Sequence, residues 1–192
     1  NSFPEEFFGH NGKFYFTATN ATSGKELWVT DGTESGTQLL KDIKVGKGSS
    51  NPANLALYQN KVVFSADNDV WITDGTSGGT QLIKDLSSTY APSGFTEMNN
   101  KLYFLVNDTS TGEEIWSSDG TSGGTQKLGQ VSSSAASYSR GMITVNNKVL
   151  CNGIKSGQLN SLWGSDGTIA GTGQVKNTSH SAGGLFGGIP HL

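Results

Sequence analysis

Charge and sulfur are scarce in this chain, and long apolar runs are missing. Only 15% of its 192 residues are charged, 13 basic against 16 acidic, for a net charge of −3. No basic stripe is present, which argues against a duplex nucleic-acid partner, because phosphate neutralisation needs clustered Lys and Arg. A single cysteine, Cys151, excludes an internal disulfide. It aligns with Phe16, Phe64 and Phe104 of the repeat described below, so a buried apolar thiol is expected rather than a reactive one. No stretch reaches the ~18 apolar residues of a membrane span. The N-terminus, Asn-Ser-Phe-Pro, lacks a signal-peptide pattern, as a processed chain would. Helical periodicity is absent throughout.

What the chain does have is one phrase written four times. Glu-Leu-Trp-Val-Thr-Asp-Gly-Thr occupies 26–33, Asp-Val-Trp-Ile-Thr-Asp-Gly-Thr 69–76, Glu-Ile-Trp-Ser-Ser-Asp-Gly-Thr 114–121 and Ser-Leu-Trp-Gly-Ser-Asp-Gly-Thr 161–168. The anchors Trp28, Trp71, Trp116 and Trp163 are 43, 45 and 47 residues apart. A period in this range marks a repeat architecture whose units are too small to bury a core alone.

Each repeat reads as four strands. Asn11-Gly12, Gln59-Asn60, Asn99-Asn100 and Asn146-Asn147 are two-residue turns of residues that tolerate positive φ, so strands a and b form a hairpin. Strand b is a continuous apolar run, as in Val62-Val63-Phe64 and Leu102-Tyr103-Phe104, which suits burial on both faces. Strand c carries the Trp, and Asp-Gly-Thr-x-x-Gly-Thr turns into strand d, expected over 38–43, 81–86 and 126–131. Repeat four departs here, with Gly173 inserted before Gln174. Four short antiparallel strands per ~45 residues predict an all-β fold, a β-propeller of four four-stranded blades. The blades fall near 4–43, 51–86, 94–131 and 141–177, all in one domain, with an extra strand-like segment over 178–192.

The invariant residues read as structural. Pairing strands b and c around Asp67-Asn68 sets Phe64 opposite Trp71 and Lys61 opposite Asp74. Lys13, Lys61, Lys101 and Lys148 therefore predict cross-strand pairs with Asp31, Asp74, Asp119 and Asp166. An exposed ion pair contributes only ~0–1 kcal/mol, so capping of the Gly-Thr turn is the stronger reason for Asp. One Asp per turn does not supply the six or more oxygens calcium wants. Asp67-Asn68-Asp69 keeps calcium possible without requiring it, and no other cofactor is implied. The repeated Trp set reads as packing between blades.

These residues resemble the bacterial ELWxxDGT-repeat proteins, on Glu26-Leu27-Trp28, Asp31-Gly32-Thr33 and Gly36-Thr37 with their later copies. The resemblance covers essentially the whole chain. It departs at Asp69-Val70 and Ser161-Leu162, which makes repeat four the most diverged. It implies a secreted or cell-surface propeller and carries no catalytic residues.

Closure has three forms: a four-bladed ring from one chain, a larger ring from two chains (a homodimer), or a piece of a longer array. For function, the b–c loops (17–25, 66–68, 106–113, 152–160) and d–a connectors (44–53, 87–94, 132–140, 177–184) vary and share one end of the blades. Variable loops on a rigid scaffold are where binding is expected. They are rich in Asn, Ser, Thr and Asp, and Tyr90, Tyr138 and His180 recur at corresponding connector positions. Polar groups beside a ring suit carbohydrate recognition. The leading expectation is a non-enzymatic, lectin-like protein with repeated glycan sites. A scaffold that binds a surface protein is the alternative. A glycan hydrolase is third, because His10, His180 and His191 are scattered and no paired carboxylates stand out.

Overall fold

The computed structural model describes residues 4–132, 141–153 and 161–177. Every regular element in them is a β-strand, and the strands form four separate antiparallel sheets. The first holds β1 (Glu5–His10), β2 (Lys13–Asn20), β3 (Gly24–Thr30) and β4 (Gln38–Leu39). The second holds β5 (Ala53–Tyr58), β6 (Lys61–Ala66), β7 (Asp69–Thr73) and β8 (Gln81–Lys84). The third holds β9 (Ser93–Met98), β10 (Lys101–Asp108), β11 (Gly112–Ser118) and β12 (Gln126–Ser132). The fourth holds β13 (Ile143–Val145), β14 (Lys148–Gly153), β15 (Ser161–Ser165) and β16 (Gly173–Asn177). Each sheet is a plain meander in chain order, and each is one blade. The first strands touch in succession, β1 on β5, β5 on β9 and β9 on β13, which places them innermost.

The turns set this register. Both central residues of all four a–b turns have positive φ, from Asn11 and Gly12 (50° and 72°) to Asn146 and Asn147 (47° and 56°). Asp67 and Asn68 do the same between β6 and β7. This is the turn whose twist matches that of the flanking strands. Phe64 then faces Trp71, Phe16 faces Trp28, Phe104 faces Trp116 and Cys151 faces Trp163.

Strand d is shorter than expected in the first two blades. β4 ends at Leu39 rather than residue 43, and β8 ends at Lys84 rather than 86. A side chain takes over from the ladder at these points. The Ile43 and Lys44 N–H groups donate to the Glu26 carboxylate, and the Leu86 N–H donates to Asp69 Oδ1 at 2.8 Å. A carboxylate accepts charge-assisted bonds in place of a strand carbonyl.

The expected Lys–Asp ion pairs are absent. Among the described residues the ion pairs are Lys25–Glu5, Lys44–Asp67 and Lys127–Glu114. Lys13 instead crosses to the next blade and donates to the Gly75 carbonyl at 3.1 Å. Each Lys stays near enough to its Asp to help hold the carboxyl below its usual range. Turn capping is the dominant cause of that shift. Asp31 Oδ1 accepts from the Thr33 N–H at 2.9 Å and its hydroxyl at 2.7 Å. Thr33 Oγ1 accepts from the Gly36 N–H, and the Thr37 hydroxyl donates to the Thr33 carbonyl. The same network recurs around Asp74, Asp119 and Asp166. The motif's second Gly follows from it: a Cβ on Gly36, Gly79, Gly124 or Gly171 would stand about 2 Å from the Asp carboxylate.

The core lies between blades, in three clusters, with Phe64 and Phe104 fully buried. Cys151 is buried in the cluster between the third and fourth blades, and burial pushes its thiol up to about 12. It packs as a small apolar side chain, as its alignment with the phenylalanines implies.

Candidate functional site

Chemistry collects at the variable-loop end, between the second and third blades. The connector after β8 and the loop between β10 and β11 border a hollow of about 230 Å³. Leu86 and Val106 give it apolar surface, and Ser87, Ser88, Ser110 and Thr111 supply hydroxyls. Asp108, Glu114 and Trp116 complete the lining.

Trp116 is half-buried, with its ring stacked on Phe104 at 6.3 Å and 20° between planes. Its indole Nε1 donates to Glu114 Oε2 at 2.9 Å, and Lys127 Nζ holds the other Glu114 oxygen at 2.5 Å. Glu114 stands two residues before the Trp, so the strand's period of 2 puts both on one face. The other blades do not repeat this arrangement. Glu26 turns to the connector, where the Ser50 N–H and hydroxyl also donate to it. Asp69 caps Leu86, and Ser161 accepts from Gln174. The Nε1 atoms of Trp28, Trp71 and Trp163 are buried without a hydrogen-bond partner. Such an orphaned donor costs about 1–3 kcal/mol, so the paired Trp116 is the one whose orientation is fixed by a polar contact.

The rim is stapled across the two blades. Asp108 Oδ2 accepts from the Thr89 N–H at 3.1 Å and its hydroxyl at 3.0 Å. Oδ1 accepts from the Ser110 N–H at 2.7 Å and from the Ser110 hydroxyl. These donors, led by the Ser110 hydroxyl, hold the carboxyl far below its usual range. Asp108 is therefore an ionised acceptor and not a proton donor. On the second-blade side, the Ser88 hydroxyl stands 2.9 Å from the carbonyls of Asn68 and Tyr90, and its single hydrogen is shared between them.

Of the sequence-predicted ligand residues, Tyr90 lies on the rim connector and is 48% exposed, and it does not line the hollow. Tyr138 and His180 lie outside the described residues. Trp116, assigned from sequence to packing, both packs and presents surface to the hollow. Glu114 was hidden because Glu26, its counterpart in the same motif, does a different job. The Asp108-Thr-Ser110 run has the composition of a side-chain-capped turn, a signal the reading of 106–113 as a variable loop did not use. Its neighbour across the hollow was not legible. Among the described residues no group of three or more His, Cys, Asp and Glu is arranged to hold a metal ion. Asp67 and Asp69, the pair considered for calcium, each have another partner: Asp67 pairs with Lys44 and Asp69 caps Leu86.

The four meandering sheets define a β-propeller, and solved structures agree. Puromycin hydrolase is similar over 93% of this chain and 29% of its own, with a TM-score of 0.63 at 11% identity. The computationally designed Ika8 protein gives 0.54 at 20% identity, over 92% of this chain and 49% of its own. The designed Ika4 protein gives 0.51 at 18% identity, over 85% and 91%. This chain thus spans less than a third of puromycin hydrolase and about half of Ika8, and at these identities the likeness establishes the fold alone. No protein-family profile matches the sequence. No curated protein matches it significantly.

Proposed function

We propose that the protein is a non-enzymatic, carbohydrate-binding propeller whose best-formed site is the hollow between the second and third blades. The observation that carries this reading is Trp116, half-buried and pinned by Glu114 beside four hydroxyl-bearing side chains. An indole face covers the apolar face of a sugar ring, and the serine and threonine hydroxyls, on a rim that Asp108 holds in place, pair with sugar hydroxyls. The hollow is smaller than the ~300–1,000 Å³ of sites for drug-sized ligands, which suits one terminal sugar unit. Hydrolysis would need a carboxylic acid kept protonated next to the scissile bond. Asp108 is held ionised, and both Glu114 oxygens are occupied. A secreted or cell-surface setting belongs to the same reading, because that is where glycans are met.

A glycan array, run with calcium and again with a chelator, tests it. Specific retention is expected under both conditions, because no metal takes part. Trp116→Ala should weaken binding at least ~10-fold, the loss of a stacked ring and its buried area. Ser110→Ala should weaken it ~5-fold, about one hydrogen bond. A blank array from well-folded protein, or wild-type retention by Trp116→Ala, overturns the proposal. Loss under chelator would replace the metal-free site with a metal-dependent one.

A further inference from the structure

Three apolar interfaces join the four blades, and all are built alike. A leading face, such as Val62 and Phe64 with Trp71, packs on the trailing face of the blade before it, Tyr15, Leu27 and Leu40. The same repeat positions meet between the second and third blades and between the third and fourth. Among the described residues this pattern leaves two faces without a partner: the leading face of the first blade and the trailing face of the fourth.

Exposure identifies both. Phe14 is 55% exposed, whereas its counterparts Val62, Leu102 and Val149 are at 0%. Phe7 is 70% exposed and stacks on Phe16 at 6.2 Å, and Phe16 stacks on Trp28 at 6.5 Å. At the other end Val175 is 54% exposed, whereas Leu40, Ile83 and Leu128 in its place are at 1–2%. Ile143 is 62% exposed beside the half-buried Leu150 and Leu162.

The two faces are complementary. The first is a ladder of aromatic rings. The second is an aliphatic hollow of about 310 Å³, lined by Ile143, Leu150 and Leu162 among others. Inside the chain, Tyr15 shares a cluster with Val62 and Tyr103 shares one with Val149, a large side chain against a slim one. Phe14 against Leu150 keeps that rule with the bulk on the opposite side. The turn glycines agree. A Cβ on Gly75, Gly120 or Gly167 would meet a tyrosine of the preceding blade within 3.2 Å. A Cβ on Gly32 would meet nothing within 4 Å.

We propose that these faces meet between two copies of this chain. The leading face of each copy's first blade packs on the trailing face of the other copy's fourth blade. Two identical heterologous contacts related by a two-fold axis close a ring of eight blades. Closure removes from water apolar surface of the kind that marks an interaction site.

Light scattering on the 192-residue chain tests this. The expected mass is twice the 20.2 kDa of one chain. Phe14→Asp and Leu150→Asp each put a charge on a face open in the single chain. Each variant should therefore fold, by circular dichroism, and run as a monomer. Mixing the two is the decisive step, because the mixture restores one intact pairing: the first blade of Leu150→Asp against the fourth blade of Phe14→Asp. A dimer should reappear only in the mixture. A wild-type monomer overturns the proposal and points to an occupant within the chain, such as 178–192. A dimer that survives Leu150→Asp but not Phe14→Asp overturns it in favour of aromatic faces pairing with each other.

Discussion

Phe104 and Phe16 hold the same place in the repeat, opposite the same Trp, on the same strand of a blade. Phe104 is fully buried, because the second blade supplies Val63, Val70 and Ile83 against it. Among the described residues Phe16 has no such neighbour, and it is only half-buried. The lesson is that a repeat residue's contribution belongs to the interface and not to the blade. This is the nearest-neighbour behaviour of a stacked array.

Mutation can break or sharpen that contrast. The largest effect expected is from Phe104→Ala, a loss of ~3–5 kcal/mol for emptying a filled core site. Phe16→Ala should cost only ~1–2 kcal/mol in dilute solution, because less area is removed. Denaturant unfolding of both variants measures the difference. Equal losses at low concentration would mean that the first blade's face is covered within one chain. A Phe16→Ala cost that grows with protein concentration would mean that a second copy covers it.

Glu26→Gln comes next and contrasts the first blade with the third. Glu26 is buried and accepts from the N–H groups of Ile43, Lys44 and Ser50 and from the Ser50 hydroxyl. Gln offers these donors a competing NH₂, at a cost of ~1–3 kcal/mol. Glu114→Gln, with the Trp116 donor still served, should cost less. The pH dependence is specific. Burial raises the Glu26 pKa above 4.5, although Ser50 and Lys44 pull it down. Its contribution is therefore fully present below the unfolded value and is lost as pH rises through the folded one. Wild type should exceed Glu26→Gln most on the acid side, and their melting temperatures should converge as pH rises through that window. Parallel curves would sink this account of Glu26.

The smallest effects are at the turn end. The hydroxyl and N–H of Thr76 hold the Asp74 carboxyl below 3.8, and the hydroxyl and N–H of the corresponding Thr do so for the other three. Stability from these caps is present above the unfolded pKa and is lost as pH falls through the folded value, opposite in sign to Glu26. Asp74→Asn keeps an acceptor and loses the charge, so a slight drop in melting temperature near neutrality is expected, vanishing in acid. An unchanged drop at low pH would show that geometry rather than charge holds the turn.

Much of this was readable along the chain. The four strands per unit, the Asn-rich hairpins and the Phe–Trp register all rest on contacts within about 15 residues, which local turn chemistry specifies. The Lys–Asp pairing failed because Lys13 reaches across to Gly75 in another blade. Strand d was overextended because the fate of its N–H groups depends on which way Glu26 and Asp69 turn. The expectation of binding at the loop end rested on its variable polar loops, and it did not include the hollow there, which joins Ser87 and Ser88 to Ser110 and Trp116.

The sequence by itself determined the blade, because a blade is a set of short-range pairings fixed by turn residues and alternation. Only the tertiary structure decided which identical residues are buried, which of two like glutamates supports a tryptophan and which faces stay open. Those outcomes depend on what stands across a gap between blades, and a repeating local code cannot specify it.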